Sequence, residues 1–450
     1  MKKKLTVQEY VVVASMLFGL FFGAGNLIFP VHMGQMTGSQ LVPATLGFLI
    51  TGVGLPLLSV AALGISKSEG LFDLSRKVSR PYAYFFTCLL YLTIGPFFAI
   101  PRCATTAFTV GIEQAVPQAA ERLWLLVFSA VFFAAALLFS LFPGKILTWV
   151  GKILNPFFLL FLGILIIVAL VKPSAAISAV APEGAYASQA FSTGFLEGYN
   201  TMDVLAGLAF GIIVVQVIRE LGVTDADAVA SSTVKAGVFS SLLMALIYLA
   251  VTVVGAQSRG LFATSENGGI ALAQIARHYL GSAGLVILAA TVTLACLKTS
   301  VGLITSCAET FCGMFPKGPG YRAWAVLFTL ISFALSNFGL STIISYSVPV
   351  LMFLYPLAIA LVLLALFGRF YRHDRAVYIS VIVCTLLAAL YDLICALPEG
   401  LYDALHADAV QAFGLRVLPF AGAGLGWICP LALGFVIGLA VHLMQKFRTK

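Results

Sequence analysis

The stretch Phe21-Phe22-Gly23-Ala24-Gly25-Asn26-Leu27-Ile28-Phe29-Pro30 lies inside the first hydrophobic run of the chain, residues 8–32. Two glycines, an asparagine and a proline are poor choices for a helix that faces lipid. Glycine costs about 1 kcal/mol relative to alanine in a helix interior, and the Asn26 amide needs a hydrogen-bonding partner wherever water is excluded. At membrane depth the backbone leaves the helical path only where protein or a cavity satisfies its amides and carbonyls. The spacing therefore predicts a first helix broken around a buried site for a polar solute, as a secondary transporter requires.

Composition sets the class in which that break must be understood. Hydrophobic residues are 61% of the 450 and charged residues 10%, where ordinary soluble domains carry about 25% charge. A helix needs about 20 apolar residues to cross the hydrocarbon. Runs of that order recur at 8–32, 41–66, 82–111, 123–142, 146–171, 191–217, 236–256, 282–312, 321–338, 341–368, 376–397 and 423–445. The expected fold is an all-α integral membrane protein of about twelve transmembrane helices. The runs follow each other through short loops, so residues 1–450 are read as a single polytopic domain. The third and eighth runs are long enough to tilt or to project beyond the bilayer.

Orientation follows from the basic residues, which collect in cytoplasmic loops. With the Met1-Lys2-Lys3-Lys4 end inside, nineteen of the 26 Lys and Arg fall on that side, and Arg122, Lys172, Arg259, Arg277 and Arg416 on the other. Arg102 and Lys298 remain within the membrane. Both termini are therefore expected in the cytoplasm, with the chain crossing a bacterial plasma (inner) membrane many times. The net charge of +8 then reports topology, and no nucleic-acid partner is expected. A basic start before an apolar run also suits a cleaved signal peptide, but this run is too long and lacks a small-residue cleavage site.

Several chemistries are excluded. The eight cysteines sit within or at the ends of spans, without CxxC spacing, and read as packing residues. The five histidines are scattered, so no metal site is expected. No GxxxxGK[ST] stretch and no Ser-His-Asp arrangement is present, which argues against ATP use and against an enzyme. No cofactor is expected. A channel needs a ring of filter residues, normally drawn from several subunits.

A transporter built from inverted repeats carries a second break in the matching helix of its second half. The sixth run has one: Phe195-Leu196-Glu197-Gly198-Tyr199-Asn200-Thr201-Met202-Asp203-Val204-Leu205-Ala206-Gly207. Runs one and six then open a first repeat at about 8–171 and a second at about 191–368, with helices eleven and twelve at about 376–445 left over. Broken helices serve binding directly. Freed amides at a half-helix N-terminus hold a carboxylate, and freed carbonyls hold a cation or an ammonium.

At these residues the chain resembles a known family. Gly25-Asn26 followed by Phe29-Pro30 is similar to the first helix of transporters with the leucine-transporter-type inverted-repeat fold, five helices plus five. Five local runs, in order along essentially the whole chain, resemble the bacterial branched-chain amino acid:cation symporters. They are Phe22 to Pro30; Gly95-Pro96 with Ala99-Ile100-Pro101-Arg102; Gly198-Tyr199-x-Thr201-Met202-Asp203; Leu294-Ala295-Cys296-Leu297; and Val348-Pro349-Val350-Leu351-Met352-Phe353-Leu354-Tyr355-Pro356. The resemblance implies a symporter that imports leucine, isoleucine or valine with Na+ or H+ by alternating access. It implies that Gly23, Ala24, Gly25 and Asn26 hold the substrate carboxylate, and that Asn26 also helps ligate an ion beside it. Tyr199, Thr201 and Asp203 would lie near the amino group and the side-chain pocket. Gly19 and Phe22 would offer carbonyls to a second cation site shared with Thr299 and Ser300. The first helix departs from the broader fold's pattern. One residue is missing between Asn26 and the Phe-Pro pair, and no gate arginine stands beside it.

Lys298 is the more instructive departure. A mid-helix lysine costs about 2.5–3.5 kcal/mol on insertion scales, so it has a partner or a purpose. Two readings stand: a structural pair, with Asp203 as the most economical partner, or an ammonium in the second cation site that loads and releases a proton. Arg102, in a helix loosened at Pro96 and Pro101, is either an outer gate or the partner of Glu113. Glu309 is expected in a cytoplasmic ion-pair cluster, and Asp392 in a local structural role. Tyr346, Tyr355, Pro349 and Pro356 in the tenth run line the pathway or kink the helix. The rival reading is a cation-coupled transporter of the same fold for another solute, another amino acid or a nucleobase. An aliphatic substrate calls for a pocket lined by Phe, Leu and Val, whereas a purine demands extra polar groups.

Overall fold

A computed structural model describes residues 4–66, 68, 70–142 and 155–448. The start of the fifth run, 146–154, and the basic residues Lys2, Lys3, Lys67, Lys145, Lys152 and Lys450 lie outside the described residues. Among the described residues there is helix and no strand. The principal helices are α1 Val7–Phe21, α2 Gly25–Thr37, α3 Leu41–Leu49, α4 Leu55–Ile65, α5 Arg80–Leu92, α6 Ala99–Gly111, α7 Glu121–Leu141 and α8 Asn155–Val171. There follow α9 Tyr186–Glu197, α10 Asp203–Glu220, α11 Ala226–Ser258, α12 Gly268–Met314, α13 Tyr321–Ser336, α14 Leu340–Phe367, α15 Arg375–Cys395 and α16 Ile428–Arg448. Among the described residues, eight helical stretches are long and apolar enough to cross a membrane, and Val7–Phe21, Leu159–Val171 and Tyr321–Ser336 are shorter apolar helices.

Each expected run falls on helix wherever it is described, with boundary shifts that have local causes. The first helix begins at a capping box, in which Thr6 and Glu9 satisfy each other's amides. The eighth run extends back to Gly268, because Gly281, at φ 66°, joins a preceding helical piece to the long one. Pro349 and Pro356 stand inside α14 without ending it. The third run does break: Gly95 adopts φ −95°, ψ −123° within a wide turn that ends at Phe97, and α6 restarts at Ala99. Pro101 then occupies the first turn of α6, where its missing amide costs nothing.

Glycines set how closely the helices approach. A Cβ at Gly34 would strike the Thr252 carbonyl, and one at Gly255 the Val31 carbonyl, so α2 and α11 meet backbone to backbone. The same reciprocal contact joins α3 and α9, where Gly47 faces Phe191 and Gly194 faces Ala44. Small residues that let backbones touch are the usual glue between helices in lipid. Here they tie α2, the half-helix after the first interruption, to α11, and α9, the half-helix before the second, to α3. Elsewhere α6 packs along α12, with Gly111 against Ala289, and Gly95 in the kink before α6 meets Cys307.

Candidate solute-binding site

Three interruptions of helix meet at one cavity. The first lies between α1 and α2. Phe22 turns to ψ 99°, and the Gly23 amide donates to Asn26 Oδ1 at 2.8 Å. The Leu27 and Ile28 amides return to the Ala24 carbonyl at 3.2 and 3.3 Å. The amides of Gly25 and Asn26 open α2, where no intrahelical acceptor serves them. One turn on, Pro30 brings no N–H, so the Asn26 carbonyl lacks its i+4 donor.

The second interruption separates α9 from α10. Residues 198–201 form a single tight turn, Met202 takes the left-handed conformation at φ 61°, and Asp203 starts the next helix. A non-glycine residue at positive φ is uncommon and marks a backbone held by its surroundings. Thr201 Oγ1 donates to the Gly198 carbonyl at 2.9 Å, which closes the turn. The third interruption is the Gly95–Phe98 kink before α6.

A buried polar group joins the first two. Asn26 Nδ2 donates to Asp203 Oδ2 at 2.7 Å, and the Tyr248 hydroxyl of α11 donates to the same oxygen at 3.0 Å. Asn26 Nδ2 also bonds the Tyr248 hydroxyl. All three residues are buried, at 2%, 1% and 0% exposure for Asn26, Asp203 and Tyr248.

Arg102 supplies the opposite charge. Its Nη1 donates to the Asn200 carbonyl at 2.7 Å, and its guanidinium carbon lies 5.0 Å above the Phe29 ring. Its Nη2 sits so close to Gly25 that a Cβ there would approach it to 2.9 Å. One side chain of α6 thus touches both broken helices. Its partner is a backbone carbonyl at the site, whereas Glu113 stands beyond the end of α6 in a short turn. Arg102 thus stands at the cavity wall, bonded to the Asn200 carbonyl.

The cavity between these groups is about 40 Å3, room for roughly three waters. Gly23, Ala24, Gly25, Asn26, Thr201, Asp203, Arg102 and Thr299 all line it. Its remaining wall is largely apolar, from Leu20, Phe21, Ile94, Ala99, Phe210 and Leu303. Thr299 lies against Gly23 and donates its hydroxyl to the Ala295 carbonyl at 3.1 Å. Ser300 is fully buried beside it, and its Oγ has no hydrogen-bond partner among the described residues. Gly19, Phe22 and Lys298 are close in sequence to lining residues without lining the cavity themselves. Lys298 is half-buried on α12, and Phe22 stacks on Phe18 and Tyr248. Tyr199 is not among the lining residues. Its ring stacks on Tyr355 at 4.0 Å between centroids, away from the cavity lining.

Two residues escaped sequence reasoning. Tyr248 stands in a Leu- and Val-rich run, and its only signal is a hydroxyl where lipid-facing residues predominate. Cys103 lines the cavity and is indistinguishable in sequence from the other packing cysteines.

Comparisons with known proteins agree along the whole chain. The family described as "Branched-chain amino acid transport protein" matches residues 6–445. The chain is 53% identical over 449 residues, covering all of both sequences, to the branched-chain amino acid permease BrnQ of Lactobacillus delbrueckii subsp. lactis. It is 39% identical, again over all of both sequences, to the BrnQ permease of Bacillus subtilis. Among solved structures it resembles Mhp1, a nucleobase-cation-symport-1 family transporter, with TM-score 0.61, 14% identity and coverage of 98% of this chain and 93% of that one. It also resembles MhsT in complex with L-phenylalanine, with TM-score 0.58, 16% identity and coverage of 98% and 99%. At such identities the structural likeness shows the inverted-repeat transporter fold alone.

Proposed function

The chain belongs to the family of branched-chain amino acid transport proteins, and from that premise we propose that it imports leucine, isoleucine and valine across the cell membrane together with a cation, Na+ or H+. The observation that carries this reading is that an aspartate, Asp203, and an arginine, Arg102, line one cavity whose other walls are mostly apolar. An amino acid is a zwitterion on an aliphatic stem, and the cavity supplies a partner for each part. The carboxylate of Asp203 suits the ammonium. The opening amides of α2, with the Arg102 guanidinium beside them, suit the carboxylate. Leu20, Phe21, Ile94, Phe210 and Leu303 suit a branched side chain, and a nucleobase would leave its ring polar atoms against them unpaired.

The cavity holds only a few waters, so a leucine enters as its walls part. The packing supports a rocking motion. Backbone contacts at Gly34, Gly255, Gly47 and Gly194 join α2 to α11 and α3 to α9, which suits their moving together as one body with α1, α4 and α10. The kinked third helix, α5–α6, with α7, α12 and α13 forms the other. Arg102 is the clasp between them, since it reaches from α6 to Asn200 and Phe29. Occupying the site changes the charge that this clasp meets, which links substrate to conformation.

Two places suit the coupling cation. The Asn26 carbonyl and side chain, beside a bound carboxylate, suit a sodium ion. The α12 hydroxyls of Thr299 and Ser300 next to Lys298 suit a second site where an ammonium takes the place of a metal cation. Both termini are assigned to the cytoplasm by the distribution of basic residues.

Binding to the native state raises its stability in proportion to affinity and concentration, which gives the test. Leucine, isoleucine and valine are expected to raise the unfolding temperature of the purified protein in a saturable manner, and alanine and uracil to leave it unchanged. Stabilisation by uracil without leucine would favour the rival substrate.

A further inference from the structure

The second helical run, α3 and α4 with the residues between them, lies alongside the second break on both of its sides. A Cβ at Gly194 would strike the Ala44 carbonyl, one at Gly198 would strike Thr51, and one at Gly207 would strike Ser59. At the middle of these three contacts the second run is not a regular helix. Ile50–Gly54 form a widened turn, in which the Leu55 amide reaches back five residues to the Ile50 carbonyl. Widened turns of this kind are rare inside helices and are frequent at functional sites.

Thr51 lies in that turn at 0% exposure, and its hydroxyl points to a neighbour. Thr93, Thr252 and Thr329 each donate to the carbonyl four residues back, at 2.8, 2.7 and 2.7 Å. Thr51 Oγ1 has the Gly47 and Phe48 carbonyls of its own helix at 3.5 and 3.3 Å. Its short bond, at 2.7 Å, goes to the Phe195 carbonyl of α9. Phe195 is in the last turn of α9, where carbonyls run out of intrahelical donors. The same oxygen limits what can follow. A Cβ at Gly198 would come within 1.9 Å of Thr51 Oγ1 and 2.9 Å of its Cβ, a clash that only glycine avoids. One threonine thus serves the end of α9 and fills the space beside the first residue of the tight turn.

We propose that Thr51 is a positioning residue for the solute site: from the widened turn of the second run it fixes the end of α9 and the 198–201 turn. The groups that meet solute follow directly. The Gly198 carbonyl accepts from Thr201 Oγ1, the Asn200 carbonyl holds Arg102, and Thr201 and Asp203 line the cavity. A Cβ at Gly52, next to Thr51, would lie 3.3 Å from the Tyr248 ring, whose hydroxyl bonds Asp203. The widened turn therefore supports the Asp203 cluster from two directions. The role in transport rests on the function proposed above, whereas the fit of Thr51 to Gly198 does not.

The test uses the full-length protein, with leucine KM and Vmax read in proteoliposomes and hydrogen–deuterium exchange of residues 196–203 read without substrate. Thr51→Val removes the hydroxyl at nearly constant volume, and Thr51→Ser keeps it. Thr51→Val is expected to speed exchange in 196–203 and to raise KM about fivefold, the scale of one lost hydrogen bond, with Vmax little changed. Thr51→Ser is expected to restore both. A merely structural lesion would lower Vmax through loss of folded protein and leave KM alone. Gly198→Ala is expected to speed the same exchange, and adding Thr51→Gly to slow it again, since the methyl then takes the vacated space. Equal KM in Thr51→Val, Thr51→Ser and the unaltered protein would overturn the proposal. So would exchange in the Gly198→Ala/Thr51→Gly pair as fast as in Gly198→Ala alone. If Thr51→Val does not fold, Thr51→Ala replaces it with the same criteria. If the unaltered protein takes up no leucine, the transport reading fails, and the exchange results still decide whether Thr51 holds the turn.

Discussion

Asn26 Nδ2 and Asp203 Oδ2, 177 residues apart in the chain, meet at 2.7 Å and join the two helix breaks. An amide and a carboxylate that are poor choices for lipid-facing helix become affordable as a pair, with Tyr248 as the third member. The bond also sets the side chains' direction, since Asn26 Oδ1 is already engaged by the Gly23 amide.

Removing one partner of a buried charged acceptor costs about 1.5–3 kcal/mol. Asn26→Ala and Asp203→Asn are therefore expected to weaken leucine binding at least tenfold. Tyr248→Phe should do less, because Asn26 still serves the carboxylate. Scintillation-proximity binding measures all three, and wild-type affinity in Asp203→Asn would remove the carboxylate from the site.

Arg102 does two things that a lysine cannot do together: it donates to Asn200 and lays a planar cation over Phe29. Arg102→Lys keeps the charge and loses the fork. Leucine uptake should fall at least tenfold with the protein still folded. Uptake within twofold of wild type would mean that charge alone is needed there.

The glycine contacts make a stability prediction. Gly34→Ala and Gly255→Ala each push a methyl into a backbone carbonyl, and overpacking of this kind costs typically 1–3 kcal/mol. Gly313→Ala meets nothing within 4 Å and serves as the comparison. Thermal unfolding in detergent should show a clear loss for the first two and none for the third. Equal melting of all three would refute the close α2–α11 approach.

Lys298 is one residue from Thr299, which lines the cavity. Lys298→Thr replaces an ammonium with a hydroxyl that suits sodium. The expected outcome is a changed ion requirement, measured as uptake against sodium concentration at fixed pH. An unaltered requirement would confine Lys298 to a structural role.

Much of this was legible in the sequence for physical reasons. Glycine, asparagine and aspartate inside apolar runs mark places where lipid cannot be the neighbour, and Gly23 to Asn26, Thr201 and Asp203 do line one cavity. Side-chain direction was not legible. Nothing in Gly198-Tyr199-Asn200 tells that the tyrosine turns to Tyr355 and the asparagine carbonyl to Arg102. Nor does local sequence show that Asp203 is met by Asn26 and Tyr248, because both bonds depend on how distant helices pack.

The most direct measurement is leucine uptake into proteoliposomes holding the purified protein, under an inward sodium gradient and, separately, an inward proton gradient. The account predicts accumulation under at least one gradient, competed by valine and isoleucine but not by alanine, and lost in Asp203→Asn. Sodium alone would place the coupling at Asn26 and Thr299, and protons alone at Lys298 and Asp203. No accumulation under either gradient, or accumulation undiminished in Asp203→Asn, would contradict it.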